Sequence, residues 1–369
     1  MEHTDNTAVE KKPVVTMYYS YGDRIGGPLT YINTVINSDL RKKYEFTTCY
    51  QNKAPGGVDI PLLKAMVKEL RRIKPDIVHI QGAQSEGFYG VLAAKIAGCK
   101  QIIMTIHGFA HDDSHCRGVK YFLYKNIIEP VSIRLSDQVY CVCEFASKRP
   151  IVKRNAGRRS CGYIHNPVPT VLPRRSRQEI RNQYGIAEEE TVFCIAGRLT
   201  REKGFDILTQ IVKLLNERKA GAFRLIVLGD GPYRKQFSSD LSAEVESGQV
   251  ILVGQTDDVA SYLAASDVFV FPSYHENLSI ALLEACASGL PCIVSNVGGN
   301  AEIITDGKSG YVLDKLCAED FAQKAQVLID DSQLLVQMGA YAKKDILDRF
   351  SLTRMCRKID EVYSFYGTK

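Results

Sequence analysis

Glu276 and Glu284 stand eight positions apart in FPSYHENLSIALLEA, residues 271–285. The first closes an apolar, strand-like run, and the second falls on a stretch with helical spacing. Two carboxylates invite comparison with a glycosidase, which sets its carboxyls about 5–9.5 Å apart on either side of the scissile bond. Eight helical residues climb roughly 12 Å at 1.5 Å each, and one continuous element does not readily flank a bond. The other chemistry is a site that turns a helix N-terminus toward an anion while carboxylates hold sugar hydroxyls, as a nucleotide sugar requires. On these residues alone, one buried polar carboxylate and one solvated helix residue also remain open.

Cations precede the pair. In GRLTREKG (197–204), Gly197 ends a strand and leaves room for close approach, and Arg198 and Lys203 project from the loop. A forked guanidinium with a flexible ammonium suits a diphosphate, although two solvated surface cations would look the same. LGDGP (228–232) places Gly229, Asp230 and Gly231 at a strand end with Pro232 opening a helix, a mainly architectural pattern. Gly254-Gln255-Thr256 follows another strand, where Gln255 could line a base pocket. Asn277, Leu278 and Ser279 are expected to form the first helical turn after Glu276, amides toward phosphate. Gly298 and Gly299 permit a tight strand-to-helix passage before Glu302.

The elements needed to hold these residues are legible. Strand-like runs at 13–20, 76–80, 102–106 and 138–143 alternate with helical stretches near 28–40, 61–73, 87–97 and 119–135, the last interrupted near Pro130. His165–Pro173 carries three prolines and reads as an extended linker. The alternation restarts, with strands at 191–196, 224–228, 250–253, 268–271 and 291–295 and helices near 204–218, 232–246, 257–265 and 278–288. Helical segments at 318–329, 331–348 and 351–366 close the chain. The order implies two doubly wound α/β domains, each a parallel sheet covered on both faces. The expected division is a polar tail 1–12, a first domain 13–168 and a second domain 169–350, with the helix of 351–369 packing back on the first. Ligands of such sheets bind beyond the strand carboxyl ends, which points to the cleft between the domains.

Composition narrows the class. The 369 residues suffice for two cores. The first dozen are polar, unlike a signal peptide, and no charge-free apolar stretch has the length of a membrane span, so a cytoplasmic protein is expected. Eleven cysteines without a Cys-x-x-Cys, among them Cys141 and Cys143 on one strand face, suit reduced thiols. Residues 1–170 carry 24 Lys/Arg against 15 Asp/Glu and the remainder 23 against 27, so the net +5 divides into +9 and −4. The run Lys148, Arg149, Lys153, Arg154, Arg158 and Arg159 reads as a solvated face, or as an attraction for anionic lipid or a phosphorylated acceptor. No nucleic-acid motif accompanies it. Tyr121, Phe122, Tyr124, Ile127 and Ile128, with Lys120 and Lys125 among them, suit core packing or a membrane contact.

His107, His111 and His115 are spaced by four around Asp112 and Asp113, which on one helix would suggest a metal face. However, His107 follows the strand IIMTI and Gly108 breaks a helix there, so a polar loop with His107 alone functional is expected, and no metal. His79 reads as a buried strand histidine, and His165 lies at the hinge.

GRLTREKG, LGDGP, the Glu276–Glu284 pair, SGLPCIVS and GGNAEII occur in the order and spacing of glycosyltransferase family 4, which this chain resembles most specifically in its second domain. The first domain is similar more loosely, through Gly26-Gly27, DIVHIQG (76–82), TIHG (105–108) and HNPV (165–168). The resemblance implies a GT-B fold, two Rossmann-like domains facing across a cleft, and a retaining, cofactor-free, metal-independent transfer of a sugar. The donor would be a nucleotide sugar, a UDP-sugar first and a GDP-sugar as the variation, bound mainly by the second domain. The acceptor would be a lipid-linked or growing surface glycan, with an anionic membrane surface as a further partner. By position, Arg198 and Lys203 would contact the diphosphate, Glu276 the sugar hydroxyls and Glu284 the ribose. Gly26 and Gly27 would leave space for phosphates, and His107 would contact the transferred sugar. A GT-B phosphorylase or synthase of small sugars, or an inactive nucleotide-binding relative, is the alternative. There are departures from the family pattern: Asn277 stands where many relatives carry a small residue or Gly, relatives often have Ser near Cys143, and Pro28 and Leu29 follow the first glycine loop where many relatives place an acidic residue.

Overall fold

The computed structural model describes residues 11–20, 27–51, 59–112, 116–169 and 172–364. These group into two compact units. The first takes the chain up to Val142, Ser147–Ile164 and the chain from Cys356; the second takes Cys143–Ala146 and His165–Met355.

In the first unit, β1 (Val14–Ser20), β2 (Glu45–Gln51), β3 (Ile77–Gln81), β4 (Gln101–Ile106), β5 (Gln138–Cys141) and β6 (Ser160–Tyr163) form one parallel sheet in the order β2-β1-β3-β4-β5-β6. Every residue of β3 and β4 is buried, as a sheet covered by helices on both faces requires. The flanking helix Ile60–Ile73 shows why these segments coil where they do. Asp59 caps it by accepting from the Leu62 amide at 2.9 Å, Pro61 presets its first turn, and Leu62, Met66, Val67 and Leu70 form the buried stripe. His79 is fully buried in β3, where burial pushes its pKa down to about 3. Its ring nitrogens meet Tyr363 Oη at 2.7 Å and Thr105 Oγ1 at 2.6 Å, which ties the C-terminal helix Leu352–Ser364 to this sheet.

In the second unit, β7 (Thr191–Ala196), β8 (Phe223–Leu228), β9 (Val250–Gly254), β10 (Val268–Phe271), β11 (Cys292–Ser295) and β12 (Gly310–Leu313) form a second parallel sheet, ordered β12-β11-β10-β7-β8-β9. Both sheets reverse direction once. The chain leaves β1 to one side for β2 and returns on the other as β3; likewise β8 and β9 lie on one side of β7, and β10 on the other. The crevices between β1 and β3 and between β7 and β10 are therefore the topological switch points, where such sheets bind ligands.

Several expectations need correction. β2, β6 and β12, unread in the sequence, are all sheet edges. The interruption expected near Pro130 is present just before it, and Pro130 itself sits in the first turn of the helix Glu129–Leu135. That helix continues Gly118–Leu123 through a π turn at Tyr124–Ile128, in which the Glu129 amide donates to Tyr124 O. Proline supplies no N–H to the residue 126 carbonyl, and the widened turn absorbs the clash. All eleven cysteines are free thiols. No helix among the described residues is long and apolar enough to cross a membrane.

Candidate active site

β7 is buried from Val192 to Ala196 and delivers Gly197 to its carboxyl end. A short 3-10 turn, Arg201–Lys203, follows, and Gly204 closes it at φ 74° while opening the helix Phe205–Lys219. A Cβ on Gly204 would lie 1.8 Å from Pro272 O, so only glycine lets this loop rest on the segment leaving β10. The Tyr274 amide donates to Glu202 O at 2.8 Å and fastens the two segments. The result sets Lys203 Nζ 2.5 Å from Glu276 Oε1, with the ammonium also 5.5 Å from the Phe271 ring centroid. Glu276 is only 7% exposed, so this charge-assisted contact joins a buried carboxylate to a half-buried cation across the second switch point.

The Glu276 segment is held from its other side by β11. Ser295 Oγ donates to Ser273 O at 2.6 Å, and the Gly299 amide to Asn277 O at 2.7 Å. Gly298, at φ 58°, would place a Cβ 2.0 Å from Glu276 O, so this passage also demands glycine. LGDGP works in the same way on the far side. The Leu199 amide donates to Asp230 O and Tyr233 to Leu199 O, and a Cβ on Gly229 would lie 2.0 Å from Gly197 O. Close packing thus accounts for Gly229 without a ligand. Pro232 lies in a turn, and the helix begins at Arg234.

Asn277, Leu278 and Ser279 do not form the first helical turn. The helix is Ile280–Ala287, and Ser279 is its N-cap, its side chain accepting from the Leu282 amide. A serine side chain at that point competes for the backbone donor that would otherwise continue the helix backward. Asn277 keeps a negative φ; Lys74 is the non-glycine residue with a positive one among the described residues. Glu284 lies on this helix, partly buried, and its carboxylate has no hydrogen-bond or ion-pair partner among the described residues. Burial alone pushes its pKa up to about 7. Arg198 is exposed on the Lys203 loop with no carboxylate partner among the described residues, and Gln255 is exposed just beyond β9. Lys203 and Glu276 are therefore in contact; Gly197, Arg198, Gly229, Gln255, Asn277, Leu278 and Ser279 follow the carboxyl ends of the strands of this sheet, and Glu284 lies on the helix that starts after Ser279.

In the first unit, Gly27 opens the helix Gly27–Ile36, whose first turn holds no acidic residue; Gly26 lies outside the described residues. His107 leaves β4 with Nε2 2.9 Å from Gln81 Oε1, at the end of β3, and its ring meets Tyr31 edge-on at 5.3 Å. Burial lowers its pKa to about 4. Gln81 carried no signal beyond its place in DIVHIQG.

His111 is occupied otherwise. It contacts the fully buried Glu129 through Nδ1 and lies 3.1 Å from Arg149 Nη2 through Nε2. Arg149 also grips Asp112 and covers the Phe109 ring at 4.5 Å, so it is not part of a solvated face. His115 and Asp113 lie outside the described residues. Among those described, no group of three or more His, Cys, Asp or Glu side chains is arranged to hold a metal. His165 Nε2 donates to Glu302 Oε2, 2.8 Å away, and Glu302 also accepts from the Glu144 and Phe145 amides; all four belong to the second unit.

A family model described as "Glycosyl transferases group 1" matches residues 176–345, and one described as "Glycosyltransferase Family 4" matches residues 41–172. The UDP-Gal:alpha-D-GlcNAc-diphosphoundecaprenol alpha-1,3-galactosyltransferase of Escherichia coli is 26% identical over 310 residues, 83% of this chain and 79% of that protein. The N-acetyl-alpha-D-glucosaminyl L-malate synthase of Bacillus anthracis is 26% identical over 318 residues, covering 83% and 78%. Among solved structures, Anabaena HepE in complex with UDP-glucose superposes with a TM-score of 0.78 at 18% identity, over 95% of this chain and 99% of that one, a likeness of fold.

Proposed function

The chain belongs to glycosyltransferase family 4 and is a transferase enzyme, and from that membership we propose that it moves a hexose from a UDP-sugar to a lipid-linked or growing surface glycan with retention at the anomeric carbon. The observation that carries this is the contact of Lys203 with the buried Glu276 at the second switch point, with Glu284, which has no partner among the described residues, on the helix that follows. Lys203 and Arg198 hold the donor diphosphate, Glu276 the hydroxyls of the sugar, and Glu284 the ribose. The bond from the anomeric carbon to the diphosphate breaks with its electron pair on the diphosphate. The acceptor hydroxyl attacks from the same face, and its proton passes to the leaving diphosphate. Charge grows on that group, so the two cations stabilise the transition state more than the ground state. The transfer needs no metal. UDP is favoured over GDP by the name of the Escherichia coli relative and by the ligand of HepE.

The acceptor is brought by an anionic membrane to which the first unit attaches peripherally, on the cytoplasmic side. Gly118–Leu123 and its π continuation expose Val119 (76%), Phe122 (58%), Leu123 and Ile127, with Arg117, Lys120 and Lys125 exposed among them and no acidic residue from 117 to 128. Tyr124, which donates to Ser85 Oγ at 2.9 Å, anchors the opposite face. Apolar side chains flanked by cations suit the boundary of anionic headgroups.

A thermal-shift screen across UDP- and GDP-sugars tests the donor reading. At a hundred times Kd, a ligand of the native state adds about 2.7 kcal/mol to stability, several degrees in Tm. No shift with any nucleotide sugar would overturn it.

A further inference from the structure

Gln81 and His107 leave the adjacent strands β3 and β4 side by side, and β3 borders the switch point of the first sheet. Gln81 is 6% exposed. Its Oε1 accepts, so the His107 nitrogen facing it, Nε2, carries the ring hydrogen and Nδ1 keeps its lone pair. The other half of the amide, Gln81 Nε2, is buried and has no partner among the described residues. A buried donor left unpaired demands an explanation, and at a ligand crevice a hydroxyl supplies one.

We propose that Gln81 is a positioning residue for the transfer: it fixes His107 as the neutral Nε2–H tautomer, with Nδ1 presented to a sugar hydroxyl, while its own spare N–H group is open to a second ligand oxygen. The inference rests on the reading of His107 as a contact of the transferred sugar. A carboxylate in place of Gln81 would favour a charged ring, which cannot accept a hydrogen bond. Of the ionisable groups that act on His107, Tyr31 meets its ring and His79 interacts with it electrostatically, and both are neutral at physiological pH. No carboxylate pairs with His107 among the described residues, and burial keeps its proton affinity low.

The full chain, labelled at histidine with 15N and assigned with a His107→Gln spectrum, is examined without ligand. The expected spectrum has Nε2 protonated, Nδ1 unprotonated, and no titration of His107 between about pH 5.5 and 8.5. Gln81→Glu should raise the proton affinity of His107 about 100-fold, bringing its titration into that window. Loss of the spare N–H group should also lower kcat by roughly tenfold with an unchanged donor KM, and kcat should fall further as the pH drops below about 6. Gln81→Leu should lose kcat by a similar factor without the titration. An Nδ1–H tautomer in the wild type overturns the proposal, as does wild-type kcat in both variants. The spectra need no turnover, so failure of the transferase reading would leave them separately interpretable.

Discussion

Glu284→Gln should make the protein more stable and a poorer binder of its donor. The glutamate pKa rises from 4.5 to about 7 because the folded chain strips water from the carboxylate, which has no partner among the described residues. At about 1.36 kcal/mol per pKa unit, the ionised form is penalised by up to about 3 kcal/mol. The sign follows from proton binding. The folded chain holds this proton more tightly than the unfolded chain, so below about pH 4.5 both states are protonated and the penalty is absent. As pH rises from there to about 7, the unfolded state ionises first and stability falls; above that range the full penalty applies. Glutamine does not titrate, so the variant should exceed the wild type by about 1–3 kcal/mol at pH 8 and match it near pH 4.5, the lower bound allowing for water that still reaches the site. The removed charge is also the proposed acceptor of the ribose hydroxyls, and hydrogen bonds to charged groups contribute about 1.5–3 kcal/mol, so UDP affinity should drop roughly 10- to 100-fold. Urea unfolding at the two pH values and calorimetric titration with UDP measure both. A stability difference that is the same at pH 8 and pH 4.5, or a variant less stable at pH 8, would refute the burial argument.

Lys203→Ala should reduce turnover by at least about 100-fold, since it removes a cation from the leaving group, and a steady-state assay with wild-type-like kcat would exclude Lys203 from the site. The same change strands Glu276, so stability should fall by about 1–3 kcal/mol, and Lys203→Ala/Glu276→Gln should recover part of that in urea without recovering activity. Gly204→Ala should cost more than about 2 kcal/mol and lower Tm by several degrees, because its Cβ would collide with Pro272 O at a positive φ. Val119→Asp/Phe122→Asp should abolish sedimentation with anionic vesicles at low salt while leaving transfer to a water-soluble acceptor intact; unchanged sedimentation removes the helix from the membrane reading. Excess EDTA should leave the initial rate unchanged, and a rate restored only by added divalent cation would contradict a metal-free transfer.

The buried strands were legible because each is a short, almost uninterrupted apolar run, as in IVHI, VFCIA and VFVF. The three missed strands lie at sheet edges, where one flank meets no partner strand. β2, EFTTCYQ, mixes polar and apolar residues with no continuous apolar run, and β6, SCGY, is only half-buried throughout. Nothing in such segments forces an apolar run, so pairing is settled by the neighbouring strand rather than by local pattern. The helix start at Ser279 was misread for a related reason. The segment LSIALLEA has helical spacing from Leu278, but a serine that caps from its own side chain marks the residue before the helix.

What the sequence could not contain is the partner of Glu276. Lys203 lies 73 residues upstream, and neither periodicity nor motif spacing says which loop faces which. That follows from strand order: β7 and β10 are neighbours only because the chain reverses there. Once they are, the glycines acquire a common reason. Gly204 lets the β7 loop touch Pro272, and Gly298 lets the β11 loop touch Glu276 from the other side, each where a single Cβ would overlap a carbonyl oxygen. The acidic pair therefore owes its placement to these two glycines. One member sits in a clamp of backbone contacts beside an ammonium. The other, eight residues on, has no partner among the described residues, on a helix that Ser279 starts. A carboxylate clamped beside a cation can hold hydroxyls next to a diphosphate. A buried carboxylate with no partner is one for which a ligand's hydroxyls would be the first hydrogen bonds it makes. The division of labour between Glu276 and Glu284 is thus a consequence of which of them the loops enclose.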